Sequence, residues 1–103
     1  MTWHDAVAAE LPDGTLRDAE LDGRRVALAR ADGVWYAFDP WCTHAECPLT
    51  DGWLEGAAVR CACHATLFDL ATGAPLEGPA VEPVEVFPTR VAGGRVEIGL
   101  PGA

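Results

Sequence analysis

Between positions 42 and 64 this 103-residue chain carries all four of its cysteines and two of its three histidines. That concentration constrains the fold more than any other feature. A chain this short forms one domain with a modest core, and it has no room for a large catalytic domain with its substrate pocket. Residues 40–78 are rich in turn formers as well as cysteine, so they read as loops carried by the flanks. Function often sits in such loops. The N-terminal residues lack a basic segment followed by an apolar stretch, and no run of 18 apolar residues occurs. The expectation is therefore a cytoplasmic protein without a membrane span. In that compartment four cysteines point to metal more than to disulfides.

The flanks read as short strands. Residues 24–30 place Val26 and Leu28 at alternate positions, and residues 34–38 (VWYAF) form a strong strand. Asp22-Gly23 and Asp32-Gly33 are hairpin signals on either side of the first of these. Residues 84–87 alternate, and Gly93-Gly94 separates residues 89–92 from 95–99, where Val96 and Ile98 share one face. Residues 6–10 read as a single helical turn stopped by Pro12. Trp3, Trp35 and Tyr36 read as scaffold packing; Trp41 and Trp53 could screen a centre or touch a partner, with packing the safer reading.

Cys42-x-His44 and Cys61-x-x-His64 form two ligand pairs, each on its own loop, with sixteen residues between His44 and Cys61. Two thiolates and two imidazoles suit one tetrahedral zinc. They also suit a [2Fe–2S] centre with two Cys on one iron and two His on the other. Spacing alone leaves both open. Cys47 and Cys63 fall outside the pairs, one on each loop; if joined to each other they would tie the loops together. Trp41, Leu49, Trp53, Leu67 and Phe68 are bulky enough to shield a centre there.

Cys42-Thr43-His44-x-x-Cys47-Pro48-Leu49, followed by Cys61-x-Cys63-His64-x-x-x-Phe68-Asp69, resembles the Rieske [2Fe–2S] proteins. Thr72-Gly73, Gly78-Pro79-Ala80 and Pro83-Val84 continue the likeness, which covers nearly the whole chain. The size is similar to that of the ferredoxins serving bacterial ring-hydroxylating dioxygenases in aromatic hydrocarbon catabolism. The resemblance implies an all-β fold and a single domain over 1–103. Its base, an antiparallel β-sandwich or barrel, would comprise about 1–39 and 71–103, with a cluster-binding subdomain inserted at about 40–70. It implies a Rieske-type [2Fe–2S] cluster held by Cys42 and Cys61 on the buried iron and by His44 and His64 on the outer one. It implies a disulfide between Cys47 and Cys63; free thiols are the alternative in a reducing compartment. Gly78-Pro79 would cover the cluster as a third loop, a plain turn being the other reading. Ala45, Glu46 and Ala65-Thr66 stand where glycine or Gly-Ser is familiar. Thr66 offers a hydroxyl toward a cluster sulfur, whereas Phe68 fills the aromatic position without one. With acidic surroundings, this places the expected potential in the low or middle part of the Rieske range.

The implied function is a one-electron carrier, not an enzyme. It would pass electrons from an NAD(P)H-dependent flavoprotein reductase to a terminal oxygenase. Two further classes remain at this stage: an accessory Rieske subunit of another redox enzyme, such as nitrite reductase, and a zinc-stabilised interaction module. Seven cations against sixteen carboxylates leave a net charge of -9. That excludes a nucleic-acid binder and an anionic membrane surface, and it suits a basic protein partner. Glu46, Asp51 and Glu55 are the acidic candidates for steering it.

Overall fold

The computed structural model describes residues 1–43, 47–63, 65–80 and 82–101. Three of its tight turns follow directly from dipeptides. Asp22-Gly23, Asp32-Gly33 and Gly93-Gly94 all take positive φ at both positions. That is the turn whose twist matches a two-residue hairpin. Each joins a pair of antiparallel strands: β2 (Leu16–Leu21) to β3 (Arg24–Ala31), β3 to β4 (Val34–Phe38), and β10 (Thr89–Ala92) to β11 (Arg95–Leu100).

β1 (Thr2–Ala8) lies beside β11, giving a sheet of order β1-β11-β10. The helical turn expected at residues 6–10 is therefore corrected. Val7 sits opposite Val96 within this ladder, just after a register shift that follows Asp5. Asp5 is forked by Arg95 across the strands, with Nε and Nη2 each 2.9 Å from a carboxylate oxygen. Local alanine propensity is worth tenths of a kcal/mol per residue, roughly. A full ladder plus a buried valine outweighs it.

The second sheet has the order β2-β3-β4-β9, with β9 at Val86–Phe87. It is antiparallel and buried on both faces at β3. Val26 and Leu28 join Trp35, Ala37, Phe87, Val96 and Ile98 in one core against the first sheet. Ala27, Ala29 and Ala31 point the other way, into a second core with Phe38, Leu49, Val59 and Phe68. The small alanine faces let the cysteine-bearing segment pack close to the sheet; Cys42, Cys47 and Cys61 belong to this same core.

The centre is more regular than its turn-rich sequence implies. β5 (Trp53–Glu55), β6 (Ala58–Arg60), β7 (Leu67–Asp69) and β8 (Pro75–Glu77) form a third antiparallel sheet. Each strand has three residues, too few for an alternating pattern to register. A single 3-10 turn at Leu49–Asp51 is the only helix among the described residues. The all-β, antiparallel expectation holds.

Candidate metal centre

Two loops rise from the second core, and each is closed at its neck by the amide of a cysteine. The Cys42 N–H donates to the Cys47 carbonyl at 3.0 Å, and the Cys61 N–H donates to the Thr66 carbonyl at 2.8 Å. The first neck is continued by a bridge between Trp41 and Pro48 and by the Leu49 N–H on the Pro40 carbonyl. The second sits between β6 and β7, with Ala65 N–H returning to the Cys61 carbonyl at 3.0 Å.

The loops are tied to each other. Cys47 and Cys63 are joined by a disulfide. The sulfurs of Cys47, Cys61 and Cys63 all lie within 4.8 Å of one another. Cys42 and Cys61 are the two cysteines outside the disulfide, and both are buried. His44 and His64, and with them Ala45 and Glu46, lie outside the described residues.

A third loop follows β8 and is held to both others. Gly78 adopts φ +95°, and a Cβ there would come within 2.7 Å of Thr66 Cα and 2.9 Å of its Oγ1. Only glycine permits that approach. From the other side, the Thr43 hydroxyl donates to the Glu82 carbonyl at 2.8 Å. Pro79 is exposed and Ala80 buried. Sequence reasoning passed over Thr43; its one signal is its place between Cys42 and His44.

Thr66 bears most directly on what the centre holds. The residue is fully buried, and its hydroxyl has no hydrogen-bond partner among the described residues. A buried hydroxyl without an acceptor costs on the order of 1–3 kcal/mol. Such a group, beside the neck of a cysteine loop, fits a centre that presents sulfur acceptors. Phe68 and Leu49 are fully buried in the same core as Cys42, Cys47 and Cys61, and Leu67 is buried too. Trp41 and Trp53 are instead 44% and 50% exposed, which corrects the reading of them as packing. Arg25 stacks on the Trp41 ring at 5.2 Å, and Trp53 Nε1 donates to Glu55.

The Rieske [2Fe-2S] domain family matches residues 2–88. The chain belongs to that family. Its cofactor is the Rieske [2Fe–2S] cluster, and the donor set fits it: two buried cysteines at two loop necks, with a histidine following each in sequence. This Rieske chain is 37% identical to the ferredoxin component of the naphthalene 1,2-dioxygenase system of Pseudomonas aeruginosa, over 95% of each. Among solved structures, the Sphingomonas yanoikuyae B1 ferredoxin superposes with a TM-score of 0.86 at 30% identity, covering 95% of this chain and 97% of the other. A chain from the complex of reduced oxygenase and oxidised ferredoxin in carbazole 1,9a-dioxygenase gives 0.88 at 32%, covering 93% and 91%. No helix among the described residues is long and apolar enough to cross a membrane.

The remaining electrostatics belong to ion pairs. Hydrogen bonds from Arg60 and then Trp53 hold the Glu55 carboxyl below its ordinary range, and Arg95 does the same for Asp5.

Proposed function

We propose that this chain is a one-electron carrier that accepts electrons from an NAD(P)H-dependent flavoprotein reductase and delivers them to a terminal oxygenase. The observation that carries the reading is the match to dioxygenase ferredoxin components along almost the full length of both chains. Cys42, His44, Cys61 and His64 hold the cluster, within a lobe of about 40–70 set on a base of about 1–39 and 71–103. When bound, the cluster supplies a reversible one-electron couple with no open coordination position for substrate.

The protein's own residues do the rest. Phe68, Leu49 and the alanine face of β3 keep water from the Cys42 and Cys61 side. Thr66 offers a hydrogen bond that favours the more negative, reduced state. The disulfide, the Gly78–Thr66 contact and the Thr43–Glu82 bond hold the three loops in one arrangement, so little must reorganise on electron transfer. With two ferric ions, two sulfides and two thiolates the oxidised cluster is neutral, so the chain keeps its formal -9. A basic docking face on each partner suits that charge, and reversible, salt-sensitive encounter suits a shuttle. Asp51 and Glu55 are exposed.

Reconstitution tests this. NADH or NADPH, a dioxygenase-type flavoprotein reductase and a Rieske terminal oxygenase are combined with and without this protein. Product that depends on it supports the reading. A cluster that the reductase cannot reduce, or that cannot reoxidise on the oxygenase, refutes it.

A further inference from the structure

We propose that Arg60 is a positioning residue for the cluster, setting the conformation of the 61–66 loop through the Ala65 carbonyl. The proposal rests on the reading of that loop as half of the cluster cradle. Arg60 ends β6 and immediately precedes Cys61. Its side chain is 17% exposed, the least of the six arginines that form ion pairs among the described residues.

The guanidinium reaches three places at once. Nε and Nη2 fork onto the Glu55 carboxylate, with Nη2 2.9 Å from Oε1. Nη2 also lies 3.4 Å from Glu77 Oε1. Nη1 donates to the Ala65 carbonyl at 2.7 Å. Glu55 is itself fixed, since Trp53 Nε1 donates to it at 2.9 Å. Glu77 closes β8 and directly precedes Gly78, the residue packed on Thr66. The cation therefore joins the second loop to the strand that leads into the third. Only a planar fork with several donors does this; a lysine offers one compact charge.

Ala65 is what needs holding. It has φ +57°, a region that disfavours any residue with a Cβ. Such a conformation persists only where its surroundings enforce it. Two bonds do so here: the Ala65 N–H to the Cys61 carbonyl at 3.0 Å and the Ala65 carbonyl to Arg60. Releasing the second frees the peptide between Ala65 and Thr66. The Thr66 hydroxyl turns with it, and so does the Thr66 carbonyl that accepts from Cys61.

The test uses purified holoprotein. Arg60→Gln is expected to broaden or shift the EPR spectrum of the reduced protein, and to speed chelator-driven bleaching about five- to tenfold, the scale of one released backbone strain. Adding Ala65→Gly to that variant is expected to bring bleaching back within about twofold of wild type, because glycine takes this φ unaided. Arg60→Lys, which keeps the charge but loses the fork, is expected to fall between. If Arg60→Gln does not fold, the same rescue is sought in Arg60→Lys. The proposal is overturned if the spectrum and bleaching are unchanged, or if Ala65→Gly restores nothing, as for a residue that merely stabilises the third sheet. Wild-type protein that carries no iron and sulfide would overturn the cluster reading itself, a separate outcome.

Discussion

Thr66→Val replaces a buried hydroxyl by a methyl of nearly the same shape, so it isolates the hydrogen bond. The residue has no exposed surface and its Oγ1 has no acceptor among the described residues. If the hydroxyl has no acceptor in the holoprotein either, the valine relieves an unsatisfied group and stabilises the protein by about 1–3 kcal/mol. If it donates to a cluster sulfur, the valine loses that bond, and the loss is larger in the reduced state, where the sulfurs carry more charge. A difference of about 1 kcal/mol between the two states lowers the potential by roughly 40 mV, since a tenfold change is about 59 mV for one electron. The assay is a redox titration of both proteins by visible absorbance or EPR, together with thermal unfolding of the oxidised form. A potential lower by some tens of millivolts, with no gain in stability, is expected. An unchanged potential in a more stable variant would refute the assignment.

Three further outcomes follow from the same geometry. Replacing Cys47 and Cys63 by serine opens a link across a sequence separation of 16; a loop of that size is worth about 3 kcal/mol, so Tm should fall by roughly 10 °C or more. Reducing agent should have the same effect on wild type and none on the variant, and a Tm unmoved in both would deny the bond a role. Asp5 and Glu55 have folded-state pKa values below their ordinary 3.8 and 4.5. Their contribution is complete above those values and is lost as pH falls through the lower folded ones, so denaturant midpoints should be level above about pH 5 and decline below about pH 4. Glu55→Gln should flatten part of that decline, and an identical acid limb in the variant would contradict the Arg60 pairing. Gly78→Ala drives a Cβ into Thr66 and should lower cluster retention during purification; full retention would mean the third loop moves away at no cost.

The strands were legible where a turn announced them. Asp-Gly, Asp-Gly and Gly-Gly fixed three hairpins because only residues tolerant of positive φ serve there. β3 was only half legible: Val26 and Leu28 marked one face, while Ala27, Ala29 and Ala31 on the other carry too little hydrophobicity to reveal a second core. β1 was misread because its partner β11 is ninety residues away, and no local signal reports that pairing. At the site, cysteine spacing marked both loops. Trp41 and Trp53 misled because bulk alone does not say which side chain faces water. The Thr43–Glu82 bond joins two loops far apart in sequence, and Arg60 meets Glu55, named only as a steering residue, and Glu77 through the third sheet, so neither contact shows in the sequence.

The most direct test of the central claim is a stoichiometric reductive titration of the anaerobic purified protein. Iron and acid-labile sulfide are assayed in parallel, and reduction is followed by EPR. Two irons, two sulfides, one electron taken up per chain and one unpaired spin on reduction are expected, with Cys42→Ser and Cys61→Ser each abolishing the signal. A colourless protein that holds zinc without sulfide and takes up no electron would contradict the account.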